Sequence, residues 1–159
     1  MTTETNKLVT FRLGEDHFAA DIFAVERVLR YAAPTPVPDM PGYIEGVIDY
    51  QGRVMPVVNL RKRFELPAVE AVAETRTLVL NVGGDWIGVV VDGVTEVAAF
   101  DGSDLQAPPK MFRGLAGAYL KGILRRGERL VIFLDVTQLL SSTERIALQK
   151  AGARELAHG

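Results

Sequence analysis

The chain has 159 residues, enough for one domain with a sizeable core, and its apolar (48%) and charged (24%) fractions are those of soluble globular proteins. A formal net charge of −2 offers no electrostatic footprint for nucleic acid or an anionic membrane, and the absence of cysteine excludes disulfides and thiolate metal sites. The polar start, MTTETNK, lacks an apolar signal segment, and no uncharged apolar run approaches the ~18 residues of a membrane span. We therefore expect a cytoplasmic protein without membrane insertion.

The first part of the chain reads as short strands separated by turns. Residues 1–6 form a predicted disordered polar tail, and alternating polarity over residues 7–13 predicts the first strand. A second strand over residues 17–22 and a third over residues 25–31 follow. The next connection carries four prolines, which exclude a helix and predict a stiff extended loop: Pro34, Pro36, Pro38 and Pro41.

The stretch from Gly46 to Leu60, GVIDYQGRVMPVVNL, is the clearest hairpin signal in the chain. Two apolar runs flank a polar turn over residues 49–52, where Gly52 is able to take positive φ without steric cost. Pro56 has no backbone donor, so the second strand is predicted to lie at a sheet edge or to carry a bulge.

The same hairpin recurs in the second half of the chain, where residues 122–136 read GILRRGERLVIFLDV. Gly122 takes the place of Gly46, and the turn glycine slips by one position. The two stretches give four glycines that we predict to be structural turn residues: Gly46, Gly52, Gly122 and Gly127.

The segments before the two hairpins also correspond. Val94-Thr95-Glu96-Val97 in the second half matches Val25-Glu26-Arg27-Val28 in the first, and residues 65–75 are a compositionally distinct connection. The repeat predicts two packed β-subdomains of about five strands each, over residues 7–64 and 77–140. Sheets this small close into barrels or pack on one another to protect their edges.

The chain is predicted to end in a helix. Ser141 is a suitable N-cap, and Glu144 stands three residues on, as in a capping box. Residues 7–150 then form a single domain, and residues 151–159 a frayed tail. The fold class is mainly all-β, with two packed five-stranded barrels and a C-terminal helix.

The residues offer little for catalysis. Histidine occurs only at His17 and His158, and no HExxH motif, Cys cluster or serine nucleophile elbow exists. The glycine-rich run over residues 83–88 joins two strands and lacks the lysine of a P-loop. We predict no catalytic residue, cofactor or metal, and a binding module fits better than an enzyme on small barrels.

Basic side chains cluster after both hairpins, and three interpretations stay open for them: a solvated rim, a polar rim around protein contacts, or single-strand nucleic-acid binding. The first is favoured over the second. The third ranks last, because acidic residues cancel the field and no set of stacking aromatics is interleaved. The residues are Arg61, Lys62, Arg63, Arg125, Arg126 and Arg129.

Four runs resemble the CheW family of chemotaxis coupling proteins and occur in that family's order and spacing. They are FRLGEDHFAADIFAVERVLRY, GVIDYQGRVMPVVNLRKRF, LVLNVGGDWIGVVVDGVTEV and YLKGILRRGERLVIFLDVTQLL. The resemblance covers about residues 7–150. It implies two five-stranded SH3-like β-barrels and a non-catalytic adaptor, which binds the regulatory domain of a CheA-type histidine kinase and the cytoplasmic tip of chemoreceptors.

By resemblance, the receptor-binding residues are expected at Val25, Arg27, Asp49, Tyr50 and Gln51. Two of them depart from the family pattern. Many members carry Asn-Leu-Arg-Gly where this chain has residues 49–52, so that Gln51 replaces a receptor-contacting arginine, and Arg27 replaces the acid of a Val-x-Glu pattern. The paired changes indicate either a re-specified receptor or drift at solvated positions. A non-flagellar chemosensory pathway, controlling pili, biofilm or second-messenger output, is the alternative setting for the same adaptor.

Overall fold

A computed structural model describes residues 5–107 and 120–136 of the chain. The described strands are β1 Thr5–Leu13, β2 Asp16–Asp21, β3 Val25–Arg30, β4 Ile44–Tyr50, β5 Arg53–Asn59, β6 Arg76–Val82, β7 Asp85–Val91, β8 Gly93–Asp101, β9 Leu105–Gln106, β10 Leu120–Arg126 and β11 Arg129–Leu134. One helical turn, α1 Leu60–Arg63, and two 3-10 turns, Ile22–Ala24 and Gly102–Asp104, connect them. No helix in the described ranges has the length and apolar character to cross a membrane.

The strands form two sheets. Sheet I has the order β8-β1-β2-β11-β10-β9, and sheet II has the order β3-β6-β7-β5-β4. Neighbouring strands are antiparallel except for two parallel pairs, β2–β11 and β5–β7. The predicted mainly β fold with two small packed sheets is confirmed, and sheet I gains a sixth strand, the two-residue β9. The predicted helix from Ser141 lies outside the described residues.

The prediction that residues 7–64 and 77–140 each form one subdomain is wrong, because the halves exchange their opening hairpins. The β1–β2 hairpin joins β8, β10 and β11 of the second half, whereas β6–β7 joins β3, β4 and β5 of the first. The exchange takes place at two short crossings. Ile22–Ala24 passes the chain from sheet I to sheet II, and Asp92 alone separates β7 from β8 on the way back.

The repeat itself is visible in the two sheets, since each strand of sheet II has a counterpart at the same place in sheet I. The ladder registers agree: Val57 pairs with Gly88 in sheet II, and the residues at the corresponding repeat positions, Phe133 and Ala19, pair in sheet I. The register also shifts at matching places, after Ile44 and after Leu120. The predicted tail is shorter than expected, because β1 begins at Thr5 and pairs there with β8.

A central apolar cluster joins the sheets, with Phe11 and Phe18 from sheet I packed with Leu80 and Val89 from sheet II. Each sheet also curls around a smaller core on its other face. The core of sheet I holds Leu8, Ala19, Phe100, Leu124, Val131 and Phe133, and that of sheet II holds Tyr50, Met55 and Val79. Because sheet I is buried on both faces, residues from both faces of β1 are buried: Leu8 and Thr10 on one face, and Val9, Phe11 and Leu13 on the other.

Pro56 does not lie in an edge strand, as the sequence had suggested, since β5 runs between β7 and β4. Its cross-strand partner on β4 is Val47. Both backbone groups of Val47 bond to Thr35 instead of to Pro56: Val47 N donates to Thr35 O at 2.9 Å, and Val47 O accepts from Thr35 N at 2.8 Å. The missing donor of Pro56 therefore faces β7, and the ladder with β7 begins only at Val57. The pairing of β5 with β4 therefore needs no donor from Pro56.

Two of the four predicted turn glycines lie inside strands instead. Gly52 and Gly127 occupy hairpin turns with φ of +77° and +63°, as predicted. Gly46 and Gly122 stand at the register shifts of β4 and β10, where another chain segment approaches the backbone. A Cβ on Gly46 would overlap the carbonyl oxygen of Thr35, and one on Gly122 would lie 2.7 Å from that of Gln106.

An ion pair between Asp92 and Arg61 of α1 holds the second crossing in place. Arg61 donates from Nε to Asp92 Oδ1 at 3.0 Å and from Nη2 to Oδ2 at 2.5 Å, and Gly14 N donates to Oδ2 at 2.6 Å. Partial burial alone would raise the pKa of Asp92, but the hydrogen bonds from Arg61 and Gly14 and the charges of Arg61 and Arg12 outweigh it. The pKa of Asp92 therefore lies below its ordinary value of 3.8.

Asp92→Asn is expected to lower the free energy of unfolding by about 2 kcal/mol at pH 7, because Arg61 loses its ionised partner. The contribution of Asp92 is complete above pH 3.8, the ordinary pKa, and is lost as the pH falls through the lower pKa of the folded state. Urea titrations of both proteins at pH 7, 5 and 3 test this. A difference that is as large at pH 3 as at pH 7 would contradict the assignment.

Candidate partner-binding surface

The β4–β5 turn presents two of the predicted receptor-binding residues to solvent. Gln51 and Gly52 form a two-residue turn with φ of +51° and +77°, the left-handed pair that matches the twist of a hairpin. Glutamine adopts the left-handed conformation less readily than glycine, so Gln51 is held in it by the paired strands on either side. Asp49 and Gln51 are both exposed.

Tyr50 belongs to the core rather than to the surface. It is 6% exposed and packs with Met55 and Val79, and its ring meets the Trp86 ring edge-on at a centroid distance of 4.9 Å. Gln51 Nε2 donates to its hydroxyl at 3.5 Å, the outer limit of a hydrogen bond. Tyr50 therefore anchors the turn to the core of sheet II. Because successive side chains of a strand point to opposite faces, Asp49 lies on the face of β4 opposite to Tyr50.

The other two predicted residues lie on β3. Val25 is half-buried against the central core, and Arg27 is exposed. A register shift separates them along the ladder with β6. β3 and β4 occupy opposite edges of sheet II, and within the described ranges no hydrogen bond or ion pair joins Arg27 to Asp49 or Gln51. The predicted residues thus form two groups, one on each edge strand.

Phe23 is a surface feature that sequence reasoning missed. It stands in the 3-10 turn of the first crossing, directly before β3, and it is 88% exposed. Asp21 accepts a hydrogen bond from Phe23 N at 3.0 Å and so fixes the turn. A cavity of about 270 Å³ lies beside the ring, lined by residues that include Ala24, Lys121 and Leu134. The signal in the sequence was an aromatic residue within a three-residue connection.

Val28, on β3, adds a second exposed apolar side chain near this crossing, with 40% of its surface accessible. Exposed aromatic and aliphatic side chains beside a cavity are typical of protein docking sites. The edge strand β3 therefore carries apolar contacts, from Phe23 to Val28, together with the charged Arg27.

Among the described residues, no group of three acidic or histidine side chains is placed to hold a metal ion. His17 is the second residue of β2 and pairs with Arg12 of β1. Its pKa is lowered by partial burial and by the charges of Arg129 and Arg12. Arg61, one of the basic cluster, is committed to Asp92, so only part of that cluster forms a solvated rim.

The comparisons with known proteins agree with this architecture. The CheW-like domain family matches residues 7–144. The chain is 34% identical to Chemotaxis protein CheW of Treponema pallidum, covering 89% of this chain and 85% of that one, and 33% identical to Chemotaxis protein CheW of Klebsiella aerogenes, covering 89% and 86%. The crystal structure of the scaffolding protein TtCheW from Thermoanaerobacter tengcongensis superposes with a TM-score of 0.81 at 28% identity, covering 89% of this chain and 96% of TtCheW.

The two-sheet fold, with its exposed edge-strand residues, defines a partner-binding β-domain. The chain belongs to the CheW-like domain family, so the resemblance seen in the sequence is confirmed. Proteins of this family are non-catalytic adaptors, and the expectation of an adaptor rather than an enzyme follows from this membership.

Proposed function

We propose that the chain couples the cytoplasmic tips of chemoreceptors to a CheA-type histidine kinase and helps to assemble signalling arrays at the inner face of the membrane. The observation that carries the receptor half of this proposal is the 88% exposure of Phe23 at the crossing between the sheets. A receptor tip is a helical hairpin, and a helix docks through apolar side chains spaced along one face. Phe23, Val25 and Val28 offer apolar surface along one edge strand.

Polar residues at both edges of sheet II supply specificity. Arg27 lies between Val25 and Val28 in the sequence of β3, and at the other edge Asp49 lies in β4 and Gln51 in the β4–β5 turn. Charged residues around an apolar contact select partners more than they strengthen binding. Gln51 and Arg27 thus define which receptor the adaptor accepts.

Sheet I is assigned as the surface that binds the regulatory domain of the kinase. Its β10–β11 hairpin is the counterpart of the β4–β5 hairpin, and it exposes 53% of Leu130 beside Arg129. Binding the kinase on one sheet and the receptor on the other leaves both partners bound at once. Signalling then requires no chemistry in the adaptor, since differential affinity for two array geometries is enough to shift the kinase between states.

A pull-down with kinase regulatory domains and receptor cytoplasmic fragments from the source organism tests the proposal. We expect both partners to be retained, and retention of neither would refute it. Receptors from flagellar and non-flagellar gene clusters should be compared, because the same adaptor would serve a chemosensory pathway of either kind. Retention of only the non-flagellar receptors would select the alternative pathway.

Gln51→Arg combined with Arg27→Glu is expected to change the affinity for the receptor fragment about tenfold and to leave the affinity for the kinase domain unaltered, because both side chains are exposed on sheet II. Titration calorimetry with each partner measures the two affinities. Equal losses for both partners at unchanged stability would place the receptor surface elsewhere.

A further inference from the structure

Arg53 lies over the ring of Trp86 beside the β4–β5 turn. Its guanidinium carbon lies 4.5 Å from the centroid of the Trp86 ring, and the edge-on ring of Tyr50 supports Trp86 in turn. Arg53 pairs directly with Tyr50 across the hairpin, so that the stack closes the end of the sheet II core. This arrangement fixes the orientation of a side chain that otherwise has many rotamers.

The donors of this guanidinium are not used within the described part of the chain. Arg53 is exposed, and no hydrogen bond or ion pair joins it to another residue of the described ranges. The nearby carboxylate of Asp49 faces the other side of β4, because its cross-strand partner is Val54 rather than Arg53. The stack therefore presents a charged, planar donor group that local acids do not neutralise.

We propose that Arg53, stacked on Trp86, binds a carboxylate side chain of the receptor tip, with the Gln51 amide as a second donor. A planar guanidinium matches the two oxygens of a carboxylate in a bidentate pair, which a lysine cannot reproduce. The stack lowers the entropy cost of binding, because the arginine is already oriented. The inference rests on the proposed function, since it assigns the partner group that the β4–β5 turn recognises.

This assignment gives the glutamine at position 51 a physical explanation. The positively charged residue that binds the receptor is then Arg53, two residues after Gln51 and at the start of β5. Its guanidinium is supported by the ring of Trp86 on β7. Gln51 then needs no charge of its own, and a neutral amide beside Arg53 avoids repulsion between two cations. The recognition group is a carboxylate, in the form of an aspartate or glutamate on a helical partner.

Calorimetric titrations with the receptor fragment test the inference on the full chain. Arg53→Gln is expected to weaken binding about 10- to 100-fold, and Arg53→Lys to recover little of it. Trp86→Leu keeps an apolar side chain over the core but removes the platform, and about a fivefold loss is expected. Arg63→Gln is the matched control, since Arg63 stacks on Tyr43 at 4.8 Å elsewhere on the surface, and it should bind like the wild type.

A charge exchange identifies the partner group. Each aspartate and glutamate of the receptor fragment is changed to lysine in turn, and one of these fragments should bind Arg53→Glu better than it binds the wild type. If Arg53→Gln and Trp86→Leu fold normally and bind as the wild type does, the inference is overturned while the adaptor function stands. If the wild-type chain itself does not bind the fragment, the proposed function fails first. Should Trp86→Leu not fold, the two Arg53 variants decide the outcome.

Discussion

Phe23→Ala should weaken binding of the receptor fragment by about 30-fold, the effect typical of an aromatic hot-spot residue. The free energy of unfolding should be almost unchanged, because 88% of the side chain is already in water and little apolar area is lost from the core. Calorimetric titration with the receptor fragment and urea unfolding of the same variant measure the two quantities.

Val72→Ala is the matched control for Phe23. Val72 is also an exposed apolar residue, but it lies in the connection between the two halves, away from β3. It should leave both receptor binding and stability at wild-type values. If Phe23→Ala and Val72→Ala bind the receptor fragment equally well, the first crossing is not the receptor surface.

Gly46→Ala should lower the free energy of unfolding by about 3 kcal/mol or more, enough to unfold a marginally stable domain. Gly46 has φ of +147°, a conformation that residues with a side chain rarely adopt, and the added methyl group would overlap the backbone of Thr35. Relieving that overlap requires the Pro-bearing connection to move away, which breaks the two hydrogen bonds between Thr35 and Val47.

Gly42→Ala provides the control, since Gly42 belongs to the same connection but has open space around it and no positive φ. Its free energy of unfolding should stay within about 0.5 kcal/mol of the wild type. Urea or thermal unfolding of both variants is sufficient. Wild-type stability in Gly46→Ala would show that the close approach of Thr35 does not exist in solution.

The sequence predicted the strands well and their partners poorly. Alternating polarity and turn glycines located both hairpins, because those signals are local. Strand pairing is not local. The exchange of hairpins between the halves takes place where the chain passes from one sheet to the other, at Ile22–Ala24 and at Asp92, and periodicity carries no information about which sheet the next strand joins. The repeat was therefore recognised, but its two halves were assigned to separate subdomains.

The same limit applies to the binding surface. Gln51 was predicted at an exposed turn and lies at one, because a hairpin turn protrudes whatever it packs against, whereas Asp49, predicted in the same turn, is an exposed residue of β4. Tyr50 could not be recognised as a core residue, since its burial depends on Met55, Val79 and Trp86 from three strands. The Arg53–Trp86 stack joins two residues that are distant in the sequence and lie on neighbouring parallel strands, and no spacing in the sequence marks such a contact.

Coupling requires one chain to bind receptor and kinase at the same time. Its most direct test is co-sedimentation of a receptor fragment assembled on vesicles with the kinase, with and without this protein. We predict that the kinase sediments only when the wild-type chain is present and that Phe23→Ala abolishes this while still binding the kinase in solution. Kinase that sediments equally without the chain, or a chain that binds only one partner at a time, would refute the coupling function.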